Sequence, residues 1–202
     1  MKHIIITYVI LLAATLTGYS QNAKKEIETD FNTYLTAIIN KEFETAIEYT
    51  AEGIFELIPR EQLLVAMQSA FNSESMNFRF DNTNIKDINE PELINEKYYA
   101  TLSYSNDMYI GFVDNSVEDS EDEELQEKKE LQQSMMLVSF YKNFGEENVT
   151  YLEDKDQYKI SVQKRVIAES PNGITNWKFI VVEKNMKPIL EMFLPSEIIE
   201  KL

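Results

Sequence analysis

Residues 97–106 read KYYATLSYSN and set the fold class of this chain. Every second residue from Tyr98 to Tyr104 is aromatic or apolar, which is the period of an extended strand with one buried face. The same period appears upstream in MNFRFDN (76–82). We therefore predict an antiparallel meander, in which Asn106-Asp107 turns the chain into a further short strand, MYIGFV.

The residues before these strands follow a helical period instead. In NAKKEIETDFNTYLTAIIN (22–40), apolar residues recur at the spacing of one helix face. A second, shorter helix is predicted over Phe43–Tyr49, closed by a left-handed turn near Gly53. A third is predicted from Pro59 to Phe71, with proline at its first turn. The first third of the chain is therefore predicted to be helical.

Strand patterns return near the carboxyl end. The predicted strands are VTYLE (149–153), YKISVQKRVIA (158–168), NWKFIVVE (176–183) and KPILEMFL (187–194), and SEIIEKL (196–202) is predicted as a terminal helical turn. Ser170 to Gly173, read Ser-Pro-Asn-Gly, is the clearest hairpin signal. Helices followed by mostly antiparallel strands predict a single α+β domain over residues 21–202.

The first twenty residues have the layout of a secretory signal. Lys2 is followed by an apolar run from Ile4 to Leu16 and by small residues near Ser20, where cleavage is predicted. The apolar run is shorter than the ~20 residues that span a bilayer, although an uncleaved anchor is the alternative. We therefore predict an exported protein, periplasmic or secreted, that does not associate with a membrane after cleavage.

The composition excludes several classes of chemistry. The chain has no Cys, and its only His lies at position 3, so the predicted mature protein contains neither residue. Disulfides, thiol nucleophiles, Cys/His zinc sites and histidine bases are excluded. The formal charge is −16, and it becomes −17 once Lys2 is removed. Because such a charge repels phosphate, nucleic acid is not an expected partner.

The densest charge runs from Asp114 to Glu130, where nine carboxylates face only Lys128 and Lys129. A calcium loop of the EF-hand kind needs Gly at its sixth position. A loop that begins at Asp114 or at Asp119 has an acidic residue at that position instead. We therefore predict no specific metal site and no cofactor. Weak, nonspecific binding of calcium remains an alternative for this segment.

Helix capping gives the acidic segment a simpler interpretation. Ser120 followed by Glu123 fits a capping box, which predicts an additional long helix at about 120–144 that ends at Gly145. Residues 114–119 are predicted to form a mobile loop before it. The second half of the helix is predicted to pack on the domain through its apolar positions. These are Met135, Val138, Tyr141 and Phe144.

The order of elements resembles a known superfamily. Three opening helices (Ile27–Ile38, Phe43–Tyr49 and Pro59–Phe71), the connector EYTAEGIFELIPREQLLVAMQSAFN and the later NWKFIVVEKN resemble exported bacterial proteins of the nuclear-transport-factor-2-like and SnoaL-like superfamily. This resemblance implies helices packed across a curved, cone-like, mainly antiparallel sheet with a pocket between them. It implies no single activity, because members of the superfamily include isomerases, dehydratases and domains that only bind or dimerise.

Without histidine, acid–base chemistry would need carboxylate, lysine and tyrosine side chains. The weak catalytic candidates are Asp30, Tyr34, Asp81, Tyr98 and Tyr104. The alternative is that the tyrosines are core aromatics with their hydroxyl groups at the rim.

Tyr34, Tyr104 and the single tryptophan, Trp177, are also candidates for lining a ligand pocket, although a lone Trp on a strand is more often core. Two functions therefore remain open. The first is an exported, non-catalytic domain that binds a small molecule or a protein. The second is an acid–base enzyme of the isomerase or dehydratase type. Homodimerisation through the open sheet face is a further alternative.

Overall fold

The computed structural model describes residues 2–72, 76–112 and 123–202, with side chains described for all of these except 2–20, 123–126, 129 and 130. The helices are α1 (Lys2–Ile39), α2 (Phe43–Glu48), α3 (Glu52–Phe55), α4 (Arg60–Phe71), α5 (Glu123–Phe144), α6 (Lys187–Leu190) and α7 (Ser196–Ile199). The strands are β1 (Met76–Ile88), β2 (Glu92–Ile94), β3 (Lys97–Phe112), β4 (Val149–Leu152), β5 (Gln157–Ser170) and β6 (Lys178–Val182). The predicted cap at Ser120 and the predicted loop over 114–119 lie outside the described residues.

The strands form one six-stranded antiparallel sheet, which confirms the α+β class with helices at the amino-terminal end. The order along the sheet is β1-β3-β5-β4, while β2 pairs with β3 and β6 pairs with β5. β4 and β6 occupy different stretches of β5, since Val149 pairs with Ile160 and Arg165 pairs with Val182.

Distances between Cα atoms group the chain into two compact units. The first unit comprises Met1–Leu64, Ile85–Tyr104 and Lys164–Leu202, and the second comprises Val65–Asn84 and Ser105–Gln163.

The first unit buries both faces of its strands, whereas one buried face was predicted. On one face, Phe31 of α1 packs edge-on against Tyr104 and Phe179, with ring centroids 5.2 and 5.0 Å away. On the other face, Tyr99 and Ile167 pack with a second cluster. Its further buried members are Ala51, Ile180, Leu190, Leu194, Ile198 and Ile199. The carboxyl-terminal segment supplies most of this second cover.

That cover explains why the strand predicted over 187–194 is wrong. The segment forms α6, with Pro188 in its first turn, and Leu190 is fully buried against the sheet. Proline is suited to the first turn of a helix because its missing N–H has no partner to lose there.

The second unit has its own core around α5 and the distal parts of β3 and β5. Its buried members are Ile110, Phe140, Val149, Tyr158 and Ile160. α5 ends at Phe144, and Gly145 after it has φ +91° and donates its N–H to the carbonyl of Tyr141. The predicted packing face is wrong in part: Met135 and Val138 point to solvent, and the neighbouring face carries the contacts.

Two further local predictions are wrong. Asn106 and Asp107 form no turn, because β3 runs without interruption from Lys97 to Phe112. Gly53 does not close α2 in a left-handed turn, because it lies inside α3. A Cβ atom at Gly53 would lie 2.2 Å from Cδ2 of Phe193, so the close approach of that ring requires glycine.

Candidate functional site

A row of three charged side chains crosses adjacent strands of the first unit. Glu169 of β5 lies directly opposite Lys178 of β6 in the antiparallel register. From β3, Lys97 reaches the same carboxylate, with Nζ 3.2 Å from Oε1 of Glu169. Two residues along each strand, Tyr99, Ile167 and Ile180 belong to the second core cluster. The row therefore lies at the polar border of that cluster, on the same face of the sheet.

Glu169 is the acidic side chain of the row, and it is 7% exposed. Its Oε2 atom has no hydrogen-bond partner among the described residues. The only fully buried side-chain nitrogen or oxygen without a partner in those residues is Nε1 of Trp177, so Oε2 remains accessible. The carboxylate is thus held at one oxygen and open at the other. Burial, and next the charge of Glu169, raises the pKa of Tyr99 to about 12.

A cavity of about 330 Å³ opens beside this carboxylate. Its lining residues are Glu52, Lys97, Glu169, Ser170, Pro171, Asn176 and Lys178. Glu52 is already committed to Arg60, with Oε1 2.7 Å from Nη2. Lys178 donates from Nζ to the carbonyl of Glu48, and this Nζ lies 5.6 Å from the ring centroid of Tyr49. Within this row, two ammonium groups therefore accompany one carboxylate.

The turn between β5 and β6 fixes one wall of the cavity. Ser170 donates from Oγ to the carbonyl of Thr175 at 2.7 Å and accepts the N–H of Gly173 at 3.0 Å. Asn172 accepts the N–H groups of Ile174 and Thr175, each at 2.9 Å. These bonds confirm the hairpin predicted from Ser-Pro-Asn-Gly.

Asp30 and Trp177 meet in the first unit, but as a structural contact. The backbone N–H of Trp177 donates to Oδ2 of Asp30 at 3.1 Å. Burial raises the pKa of Asp30, while the Trp177 amide opposes that shift. The Trp177 side chain is fully buried in the first core cluster.

Tyr34, Tyr98 and Tyr104 lie around the same cluster. Burial, and next the charge of Glu183, raises the pKa of Tyr34 to about 12. Burial also raises the pKa of Tyr104, with smaller contributions from Tyr34 and Glu183. No hydrogen bond joins the carboxylate of Asp30 to any of these tyrosines within the described part of the chain. The aromatic rings make contacts typical of a core.

Asp81 lies apart from these residues, in the second unit and exposed. It accepts the N–H of Asn82 and pairs with Arg79, both at 2.8 Å, and these contacts lower its pKa. The guanidinium carbon of Arg79 also lies 3.9 Å from the ring centroid of Tyr109.

Asp107 lies near Asp81 and has a buried carboxylate. The sequence predicted it only as a turn residue. It accepts from Nδ2 of Asn82 at 2.7 Å, from Oγ of Ser161 at 2.6 Å and from Nζ of Lys159 at 3.0 Å. Burial alone would raise the pKa of Asp107, but these three donors together lower it. The network occupies both oxygens of the carboxylate.

The sequence predictions therefore missed Lys97, Glu169 and Lys178. One signal was present in the sequence: a hairpin that turns at Ser170–Gly173 brings Glu169 and Lys178, which have opposite charges, onto neighbouring strands beside the turn. Lys97 gave no such signal, because it lies 72 residues from Glu169 along the chain.

Among the described residues, no group of three or more His, Cys, Asp or Glu side chains is arranged to hold a metal ion. In the same part of the chain, no helix has the length and apolar character needed to cross a membrane.

Fold and cavity together define a small α+β protein with a cavity lined by charged side chains at the border of a core cluster. The chain matches no family model, and neither characterised proteins nor solved structures give a match.

Proposed function

We propose that this chain is an exported, non-catalytic binding domain that takes a small molecule into the cavity beside Lys97, Glu169 and Lys178. One observation carries the proposal: the mostly buried carboxylate of Glu169 helps to line a cavity, and one of its oxygens has no hydrogen-bond partner among the described residues. An accessible carboxylate oxygen without a protein partner can accept a hydrogen bond from a ligand in exchange for one from water. The cavity volume lies at the lower end of the range for small-molecule sites.

The charges indicate the kind of ligand. The free oxygen of Glu169 accepts a hydrogen bond, which an ammonium, amide or hydroxyl group of the ligand would donate. Lys178 faces the same cavity and, among the described residues, its ammonium group is not paired with a carboxylate. The ligand would therefore carry a donor and a carboxylate a few ångströms apart, as free amino acids and short peptides do.

The proposal is tested by thermal denaturation of the purified chain with free amino acids and dipeptides, and with amino sugars and simple carboxylic acids that carry one group each. A ligand at about 100 times its Kd adds about 2.7 kcal/mol to the free energy of unfolding. We expect the melting temperature to rise with compounds that carry both groups, and Glu169→Gln to remove the rise. Glu191→Gln, on an exposed site, is the matched control. A rise that survives in Glu169→Gln would contradict the site.

The acid–base enzyme remains the second hypothesis, but among the described residues no hydrogen bond joins its candidate carboxylates, Asp30 and Asp81, to a tyrosine. It requires a carboxylate and a tyrosine that are both shielded from water and within hydrogen-bond reach of each other. Asp30 instead binds the Trp177 amide, and Tyr34 and Tyr104 pack in the aromatic cluster. Under the binding proposal, Tyr34→Phe leaves ligand-induced stabilisation unchanged.

Export and family membership belong to the same proposal. The support for export is the signal-like pattern of residues 1–20. The support for a cone-like member of the nuclear-transport-factor-2-like superfamily with an additional long helix is the order of helices and strands. Amino-terminal sequencing of the exported protein should begin near Gln21, and a chain retained in the cell with Met1 intact would contradict export.

A further inference from the structure

Helix α5 carries apolar side chains on two faces, and only one of them packs on its own unit. Phe140 is buried in the core of the second unit, with Met136, Leu137, Tyr141 and Phe144 partly buried beside it. Another face carries Leu131, Met135 and Val138, which are 63, 66 and 65% exposed. A helix that is apolar on more than one side normally has a second partner.

The exposed stripe ends in opposite charges. At about 100° per residue, Glu127 and Lys142 lie within the same arc of about 80° as the three apolar residues. Both side chains are exposed. They are fifteen residues apart, or about 22 Å along the axis, so they cannot pair within one helix. The stripe thus has a negative end, an apolar middle and a positive end.

We propose that a second copy of this chain packs on the stripe, with the two α5 helices antiparallel. A two-fold axis between Ser134 and Met135 places Leu131 of each copy against Val138 of the other. The same axis places Glu127 of each copy against Lys142 of the other, so both charge pairs are attractive. A parallel arrangement would instead set Glu127 against Glu127 and Lys142 against Lys142. The stripe is complementary to itself in the antiparallel direction only, as a two-fold interface requires.

Charge reversal tests this arrangement because it can be rescued between chains. In Glu127→Lys alone, and in Lys142→Glu alone, both interface pairs become like-charged. We expect each to weaken dimerisation roughly tenfold, as two exposed pairs change from attraction to repulsion. A mixture of the two single variants restores attraction at both pairs and should form a heterodimer close to wild type in strength.

Sedimentation velocity over a series of concentrations of the purified full chain measures this. Glu191→Lys makes the same charge change on an exposed site of the first unit and should dimerise as wild type does. Leu131→Ser should abolish association while circular dichroism and the melting temperature stay unchanged, because Leu131 is mostly exposed.

Three results would overturn the proposal: a wild-type chain that stays monomeric at every concentration, a mixture of the two reversals that stays monomeric, or a Leu131→Ser dimer of undiminished strength. None of these depends on the cavity at Glu169, so the binding proposal and this one fail independently.

Discussion

Among the described residues, each of the two units buries one carboxylate, and the two carboxylates are bonded in different ways. Asp107 in the second unit receives hydrogen bonds from three side chains, those of Asn82, Ser161 and Lys159. Glu169 in the first unit receives one, from Lys97, and its other oxygen has no partner among the described residues. Glu169 also helps to line a cavity. Both residues lie on long strands, and both have a lysine partner. The number of donors, rather than burial, separates them.

The difference indicates different roles. A carboxylate with every oxygen occupied contributes to folding and has nothing left to offer a ligand. A carboxylate oxygen without a protein partner can still accept a hydrogen bond from a ligand. We therefore expect substitutions at Asp107 to affect stability and substitutions at Glu169 to affect binding.

The largest effect should follow Asp107→Ala. It leaves three side-chain donors without their acceptor, and we expect the free energy of unfolding to fall by about 3 kcal/mol. Urea denaturation measures the loss. Asp87→Ala, on an exposed site of β1, should change it by less than about 0.5 kcal/mol. Equal losses in the two variants would remove the distinction.

A smaller effect is expected from Gly173→Ala, which tests the turn beside the Glu169 cavity. Gly173 has φ +70°, and a Cβ atom there would lie 2.7 Å from the Tyr98 ring. We expect a loss of about 2 kcal/mol by urea denaturation, because backbone strain and the clash act together.

Gly111→Ala is the matched control for the turn. A Cβ atom at Gly111 would lie 3.1 Å from Cγ of Gln157, a flexible side chain that can move aside. Its loss should be clearly smaller than that of Gly173→Ala. A larger loss at Gly111 would show that backbone strain does not govern the turn.

Glu169→Ala should cost the folded state only about 1 kcal/mol, because it removes a single ion pair whose lysine is 40% exposed and can be hydrated. Urea denaturation without ligand measures this value. A loss as large as that of Asp107→Ala would make Glu169 a structural residue and contradict the comparison.

The pH dependence of stability should separate the two carboxylates further. The pKa of Asp107 is lower in the folded chain than its unfolded value of about 3.9, so its contribution is complete above that pH. The contribution is lost as the pH falls through the folded pKa. Denaturation at a series of acidic pH values should show this loss in wild type and a shallower dependence in Asp107→Asn. Parallel curves for the two proteins would argue against the network.

Local patterns predicted the elements that depend on near neighbours. The helical period correctly predicted that Ile27, Phe31 and Leu35 form a buried face of α1. The Ser-Pro-Asn-Gly signal correctly predicted the hairpin, because its bonds close within a few residues.

Patterns failed where distant segments decide the structure. Asn106-Asp107 resembles a turn, yet Asp107 stays in a strand because donors 25 and 54 residues away satisfy it. The last predicted strand is a helix because Leu190 is needed to cover the second face of the sheet. On α5, both possible faces carry apolar residues, so periodicity could not choose the one that packs.

The sequence by itself determined the class of this protein: helices first, then antiparallel strands, in a chain with no Cys and a single His at position 3. These features depend on composition and on repeats of two or 3.6 residues, which are properties of the local chain. Only the tertiary structure decided which carboxylate is bonded at both oxygens and which at one. That choice depends on side chains brought together from β1, β3, β5 and β6, and sequence spacing does not encode such distances.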